Sequence, residues 1–283
     1  MKISFFSQKR TWETEQVIQT AGERGIDLDF FCIDSVEGLE SVREEMGDII
    51  YWRSAGVNRY ERQAFLKSLQ EESAGKRHIV NSGNVQNCNI IYKTVQQEIV
   101  ADASVCEGIP TFTFGGKEEL LAATAETLQY PFICKPNYGA RGEGVRLIKD
   151  ESDITDDINY EKSIFQPFIK NTGDYRILVI GGNAIGAIKR VGQEGSVTNN
   201  ISQGGVGLHV TDTEELQAVS SVAEAIAELF DLQIVGVDVM YDEEVKVYRF
   251  LELNTTQQWK GFQETTGTIV ADILMDFFQQ LDT

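Results

Sequence analysis

Two runs near the carboxyl end of the chain read as adjacent apolar strands that carry two carboxylates and an amide: Val235-Gly236-Val237-Asp238-Val239-Met240-Tyr241 and Val247-Tyr248-Arg249-Phe250-Leu251-Glu252-Leu253-Asn254. Side chains at i and i+2 share a face of a strand, so Glu252 and Asn254 point the same way. Asp238, on the even-numbered face of the preceding strand, is expected diagonal to them across the pair. An ionised carboxylate on a half-buried face needs a partner. Two of them with an amide oxygen, and no lysine nearby in the sequence, suit a hard divalent cation, Mg2+ first and Mn2+ next. A solvated strand end with its acids on the wet face fits the same residues, so the hairpin by itself leaves its chemistry open.

With 283 residues and 42% hydrophobic content, the chain can bury a large core and divide into two or three packed units. Its 25 basic and 44 acidic side chains leave a formal net charge of −19, which repels phosphate backbones and anionic membranes over most of the surface. Neither nucleic acid nor a membrane is therefore expected as a partner, while association into a homo-oligomer is allowed. Cys32, Cys88, Cys106 and Cys134 lack the paired spacing of a zinc or redox motif and read as reduced thiols. The first ten residues hold too short an apolar run for a signal peptide, and no stretch is long enough to span a bilayer. A cytoplasmic location is expected, and the sequons at Asn200 and Asn254 then carry no weight.

Residues 3–6, 28–33, 48–52 and 78–81 read as short strands separated by helical patterns, such as residues 11–24 stopped by Gly25, and this alternation predicts an open parallel sheet. Ser82-Gly83-Asn84 interrupts it. Helices are expected over residues 93–107 and 117–129, with Gly108-Ile109-Pro110 and an extended 111–114 between them. Strands then dominate, over 131–135, 144–148, 163–168, 175–180 and 184–190, and Gly181-Gly182-Asn183 marks the region as antiparallel. A helix over 213–229, the acid-bearing hairpin and a last helix over 268–281 close the chain. The class is α/β, turning α+β in the C-terminal part.

A second constellation is Lys135-Pro136-Asn137-Tyr138-Gly139-Ala140-Arg141-Gly142-Glu143-Gly144-Val145. Gly139, Gly142 and Gly144 free the backbone to approach an anion and to turn its amides onto phosphate oxygens, as a lid would. An ordinary glycine-rich hairpin fits equally. The dinucleotide fingerprint and the Walker A loop do not, because both lie between a strand and a helix, whereas these glycines lie between two strands with no Gly-Lys-Ser/Thr following. Lys135 ends a strand just before the loop and Lys93 starts a helix; each alone is an ordinary surface lysine, and together they flank the candidate cradle.

Taken in order, Lys93, Lys135 with its glycine loop, Gln166-Pro167-Phe168-Ile169, Asp174-Tyr175-Arg176-Ile177-Leu178-Val179-Ile180-Gly181-Gly182, Ala187-Ile188-Lys189-Arg190, Asn200 with Gly204-Gly205, and Asp238, Glu252 and Asn254 resemble the ATP-grasp superfamily. The Asp-x-Arg strand, the Ala-Ile-Lys-Arg strand and the closing Gly261-Phe262-Gln263-Glu264-Thr265-Thr266-Gly267 look most like its RimK-type branch, whose namesake adds glutamates to a ribosomal protein. The resemblance covers most of the chain. It implies an N-terminal open parallel α/β domain over 1–86, a central subdomain with the glycine lid over 87–165 and a C-terminal subdomain with the metal site over 166–283, the nucleotide lying between the two α+β subdomains.

Carried over position by position, the resemblance implies that Lys93 and Lys135 contact ATP phosphates beneath Gly139, Gly142 and Gly144, and that Gln166, Pro167, Phe168 and Ile169 form the hinge that pairs with adenine. Asp174 is implied near the ribose or the substrate. Arg176, Arg190 and Lys135 are the implied catalytic cations for the transferred phosphoryl group and an acyl phosphate, and Asp238, Glu252 and Asn254 the implied Mg2+ ligands, with Asn200 nearby. His78 and His209 lie in no motif, which makes a histidine triad improbable. The expected reaction is ATP-dependent carboxylate–amine ligation, making an amide on an amino-acid, peptide or protein acceptor. Ring closure on a precursor peptide through an ester or amide, a kinase, and a regulatory nucleotide binder without turnover are the other readings. Pro167, Gln203 and the Thr255-Thr256 after Asn254 depart from the branch pattern, and they bear on the acceptor more than on the nucleotide.

Overall fold

The computed structural model describes residues 1–282 apart from 55–56, 74–75, 140–141, 194–197 and 200–203. Its first part alternates β1 (Lys2–Phe6), α1 (Trp12–Glu23), β2 (Asp27–Phe31), α2 (Val36–Ser41), β3 (Ile49–Trp52), α3 (Arg59–Glu72) and β4 (His78–Val80). The four strands are parallel in the order β2-β1-β3-β4, the open sheet expected from the alternation. α1 starts where Thr11 and Thr14 cap each other reciprocally and ends before Gly25, whose φ of +64° suits glycine.

After α4 (Gly83–Gln86), α5 (Lys93–Ala103) and α6 (Lys117–Thr124) come β5 (Phe132–Pro136), β6 (Arg146–Ile148) and β7 (Ser163–Pro167), an antiparallel sheet in the order β6-β5-β7. The remainder is β8 (Asp174–Ile180), β9 (Asn183–Val191), β10 (Val206–His209), α7 (Thr213–Leu229), β11 (Ile234–Asp242), β12 (Val247–Asn254), α8 (Lys260–Thr266) and α9 (Val270–Gln280). Its five strands form an antiparallel sheet in the order β10-β9-β8-β11-β12.

Two expected helices end early. α5 stops at Ala103 because Ser104 turns left-handed (φ +55°), and Glu107 instead accepts from the Phe250 amide at 2.8 Å, a bridge to β12. α6 stops at Thr124, some residues ahead of Pro131, a residue type whose predecessor disfavours helix. The short strand β10 and helix α8 were not expected as elements.

The five-stranded sheet has two different faces. Tyr175, Ile177, Val179, Val235, Val237 and Val239 pack on α7. On the other face Leu178, Ile180, Ile188 and Ile234 join Phe5, Tyr51, Leu274 and Phe278, so the N-terminal sheet and α9 cover one half. The uncovered half of that face carries Asp174, Arg190, Asp238 and Met240 and looks toward β5. Among the described residues no helix is long and apolar enough to cross a membrane.

The N-terminal unit is fastened by backbone-like bonds. Asn81, left-handed at φ +63°, donates from Nδ2 to the Ile234 carbonyl at 2.8 Å and accepts from the Ile234 amide at 2.8 Å. Gly83 donates to the Asp231 carbonyl at 3.0 Å. A Cβ on Gly83 would lie 1.8 Å from the Phe230 carbonyl oxygen, which is backbone and cannot swing away, whereas one on Gly22 in α1 would meet nothing within 4 Å. Gly83→Ala should therefore destabilise by about 1–3 kcal/mol, and Gly22→Ala should stabilise by about 0.5–1 kcal/mol, both measured by urea unfolding. A Gly83→Ala protein as stable as the parent contradicts the close approach.

Candidate active site

A cleft of about 870 Å³, counting its open mouth, lies between the three-stranded and five-stranded sheets. Lys93, Lys135, Gly139, Gly142, Gln166, Pro167, Phe168, Ile169, Asp174, Arg190, Asp238 and Glu252 all line it, so the structure brings together most residues singled out in the sequence. Gly144, Arg176 and Asn254 are not in its lining, and Asn200 lies outside the described residues.

Each inner charge is placed by strand pairing. Asp238 sits opposite Arg176 across β11 and β8, and Asp174 opposite Arg190 across β8 and β9. Arg176 donates to both Asp238 oxygens, at 2.7 Å from Nη2 to Oδ2 and more closely from Nε. Arg190 donates from Nη2 to the same Oδ2 at 2.9 Å and from Nε to Asp174 at 2.6 Å. The result is a ladder, Asp174–Arg190–Asp238–Arg176, whose members other than Arg176 are nearly out of solvent. Burial pushes the Asp238 carboxyl up, but Arg176 and Arg190 outweigh it and hold it below the ordinary 3.8. Burial likewise works against the Arg190 charge, and Asp238 and Asp174 more than restore it. Arg176 thus acts on the cleft through Asp238 rather than by facing it.

Lys93, the first residue of α5, donates to the Gly139 carbonyl at 3.1 Å and pairs with Glu252 at 3.2 Å. The sequence expectation of carboxylates without a nearby lysine is corrected here, because helix α5 brings one in from 159 positions away in the chain. Lys135, at the end of β5, is buried, and that burial pushes its amine down to about 8 despite the pull of Glu252, with Lys93 adding to the depression. Three cations, Lys93, Lys135 and Arg190, therefore face three carboxylates, Asp174, Asp238 and Glu252, on the inner wall of a protein whose formal net charge is −19, with Glu143 exposed on the loop. Such a wall is much less acidic than the protein as a whole, so an anion meets less repulsion there than over the rest of the surface.

Asp238 is also not diagonal to Glu252 but directly opposite it, because the β11–β12 register shifts after Asp238. The bulge lets Leu251 and Glu252, neighbours in sequence, both line the cleft, which strict alternation forbids. Gly139 at φ +158° and Gly142 at φ +72° hold conformations that favour glycine, and a Cβ on Gly144 (φ +72°) would meet Pro136 at 2.9 Å. Asn137 was overlooked in the sequence. Its Oδ1 accepts from the Thr94 amide at 3.0 Å and its carbonyl from the Lys93 amide at 3.0 Å, which docks the loop onto the start of α5. The apolar wall of Ile109, Ile133, Val145, Met240 and Leu251 was overlooked too, since isolated apolar residues look like core. Gln166 donates from Nε2 to Thr111 at 2.7 Å and is buried, which fixes the strand that Pro167, Phe168 and Ile169 continue.

Glu252 and Asn254 lie two apart on β12, and Asp238 faces Glu252, so the carboxylate of Glu252 and the amide oxygen of Asn254 are the available oxygen donors. Oxygen donors of this kind fit a hard cation. No group of three or more carboxylates, cysteines or histidines gathers in metal-binding geometry among the described residues, and both Asp238 oxygens are taken by arginines. The fit therefore rests on Glu252 and Asn254, with Asp238 beside them.

A nucleotide-sized cleft with buried lysines and a glycine loop between two antiparallel sheets defines an ATP-grasp protein. Residues 93–278 match the RimK-like ATP-grasp domain, and the chain belongs to that family. The fold agrees with the ATP-grasp ligase PsnB complexed with minimal precursor (TM-score 0.68, 19% identity, 99% of each chain) and with D-alanine–D-alanine ligase from Bacillus anthracis complexed with ATP (TM-score 0.68, 13% identity, 99% of this chain and 98% of that one). Among curated relatives, N-acetylaspartylglutamate synthase A of Homo sapiens is 26% identical over 224 residues, covering 74% of this chain and 54% of that protein. A probable alpha-L-glutamate ligase of Aliivibrio fischeri is 32% identical over 157 residues, covering 53% and 50%. The chain spans about half the length of the curated relatives it matches.

Asp238→Ala would strand Arg190 and Arg176 beside a lost counter-charge, and it should cost about 3–5 kcal/mol in urea unfolding at pH 7. The sign with pH follows from the depressed carboxyl: the stabilisation is present in full above the ordinary 3.8 and is lost as pH falls below it. The gap between parent and variant should therefore be flat from pH 8 to 5 and close below pH 4; a gap that widens on acidification contradicts the ladder.

Proposed function

We propose that the protein is an ATP-dependent carboxylate–amine ligase, forming an amide through an acyl phosphate, with an amino acid or peptide as acceptor. The observation that carries this reading is the convergence of Lys93, Lys135 and Arg190 on one cleft wall, with Arg190 held rigidly by Asp174 and Asp238. Preformed cations aimed where phosphoryl charge develops need no reorganisation during reaction. In this reading residues 1–86, 87–165 and 166–283 form the three units expected from the sequence, with the cleft between the second and third.

Lys93 and Lys135 bind the phosphates, and the glycine loop covers them and keeps water from an acyl phosphate. Phe168, Ile169 and the apolar wall enclose the base. Arg190 offers a planar fork to the carboxylate being activated. Mg2+ held by Glu252 and Asn254 beside Asp238 would neutralise phosphate charge. Relatives named for glutamate-containing products support an amino-acid acceptor, as does PsnB, solved with its precursor, for a peptide one.

The test is acceptor-dependent ADP formation with amino acids and peptides, with product masses read on the hits. The expected product has the mass of both substrates less water, and Glu252→Gln should reduce turnover at least about 100-fold with the fold intact. A phosphate ester indicates a kinase, and nucleotide binding without ADP from any acceptor indicates a regulatory binder.

Lys135 adds a pH signature. Free, it loses its proton near 8, and phosphate contact favours the charged form, so binding takes up a proton. Affinity for a non-hydrolysable ATP analogue should be level below pH 7.5 and weaken above 8, toward about tenfold per pH unit. Calorimetric titrations from pH 7 to 9 check this, and Lys135→Arg should flatten the profile. Affinity of the parent unchanged up to pH 9 removes Lys135 from the phosphate site.

A further inference from the structure

The segment that leaves β12 after Asn254 is gripped from outside the ATP-grasp domain, which spans residues 93–278. The residue that grips it is Arg53, directly after β3 of the N-terminal sheet. The Arg53 amide donates to the Phe6 carbonyl at 2.9 Å, which extends the β1–β3 pairing and fixes its backbone. From that anchor its Nη2 donates to the Gln257 carbonyl at 3.0 Å, its guanidinium lies 5.4 Å from the Trp259 ring centre, and its own carbonyl accepts from the Thr256 hydroxyl at 2.7 Å. Main chain and side chain of one residue thus take hold of Thr256, Gln257 and Trp259.

A buried cation is an unfavourable way merely to pack two units together. Arg53 is 3% exposed, Glu13 on α1 reaches it only at 3.5 Å, and its Nε has no hydrogen-bond partner among the described residues. Apolar side chains in place of a buried ion pair are often as stable or more so, and Phe5, Tyr51 and Trp259 already supply an apolar contact here. What the guanidinium adds is direction, since a planar donor stacked near a ring fixes the Gln257 peptide relative to Trp259.

That direction bears on Asn254. Asn254 pairs with Gly236 across β12 and β11, and the place that a Cβ on Gly236 would take is bordered by Gln257 Cβ at 3.3 Å and Arg176 Cδ at 3.5 Å. Gln257, buried, therefore lies over the strand partner of Asn254 and beside the outer rung of the charge ladder. The Nδ2 of Asn254 has no hydrogen-bond partner among the described residues. With no bond to hold that nitrogen, the course of the backbone on either side sets where the amide oxygen points. On one side that course is β12, and on the other it is the segment that Arg53 holds.

We propose that Arg53 is a positioning residue for the metal: by holding residues 256–259 it aims the Asn254 amide oxygen at the Mg2+ shared with Glu252. The N-terminal unit then completes the metal site without touching the ion. This rests on the metal site of the ligase reading and adds to it a residue outside the ATP-grasp domain. Groups that orient a metal's ligands typically change its affinity about 10–100-fold when they are removed.

The experiment measures Mn2+ binding to the full chain saturated with a non-hydrolysable ATP analogue, read from the electron paramagnetic resonance of the free ion. Calorimetry of the analogue without metal and the unfolding temperature are recorded alongside. Arg53→Met should weaken Mn2+ about tenfold or more. Thr256→Val, which removes only the hydroxyl of an exposed residue, should weaken it about threefold or more. Metal-free affinity for the analogue should match the parent in both. In an Asn254→Ala background neither change should weaken Mn2+ further, because a residue that acts through Asn254 has nothing left to aim. Losses that multiply with that of Asn254→Ala would mean that Arg53 loosens the cleft at large, and they overturn the proposal. So does parent-like Mn2+ affinity in Arg53→Met or, if that protein does not fold, in Thr256→Val, while Asn254→Ala is impaired. Mn2+ affinity indifferent to Asn254→Ala itself would instead sink the metal site of the ligase reading, and this proposal with it.

Discussion

The charge ladder Asp174–Arg190–Asp238–Arg176 is the interaction on which the rest of the cleft depends. Ion pairs this dry are weak evidence of stability, since desolvation offsets most of their attraction, but each rung forbids its neighbours from moving alone. Asp174–Arg190 and Arg176–Asp238 are strand partners and Arg190–Asp238 spans β8, so the ladder ties three strands of the five-stranded sheet by side chains as well as by backbone. Its consequence for chemistry is that Arg190 faces the cleft in one orientation, with two of its donor positions committed and its plane fixed.

A half-covered sheet face makes this arrangement affordable. Along β8, Ile180 and Leu178 lie under the N-terminal sheet and α9, while Arg176 and Asp174 continue the same face into the charge ladder beside the cleft. One strand thus passes from core to site at a spacing of two residues, and the apolar end holds the polar end still. The N-terminal unit serves twice: it covers the apolar half, and its carboxyl edge borders the segment that follows Asn254.

What was legible in the sequence followed from local periodicity and from the order of motifs. The parallel sheet was visible because strand and helix patterns alternate; Lys93, Lys135 and Arg190 were visible because each sits at or beside an element boundary within an ordered set, and Asp238 because it is a carboxylate inside an apolar strand. The family match over residues 93–278 agrees with that order. The bulge at Leu251 was hidden, since inserting one residue into a ladder leaves no trace in a period-two pattern, and with it went the facing of Asp238 and Glu252. The Lys93–Glu252 pair, the end of α5 at Ala103 and the role of Asn137 were hidden for a different reason: all are made by segments far apart in the chain, where tertiary contact overrides local preference. Arg53, Arg59 and Arg62 carried no motif in the sequence, and only the fold sets them over the rings of Trp259, Tyr92 and Trp52.

The central claim is that the cleft activates a carboxylate by phosphorylation before an amine attacks it. It is tested most directly with a carboxylate substrate labelled with oxygen-18 in the reacting group, followed by mass analysis of the inorganic phosphate released. The account predicts that each phosphate carries one labelled oxygen taken from the carboxylate, with the other retained in the amide. Phosphate without label, released together with the condensed product, would contradict it.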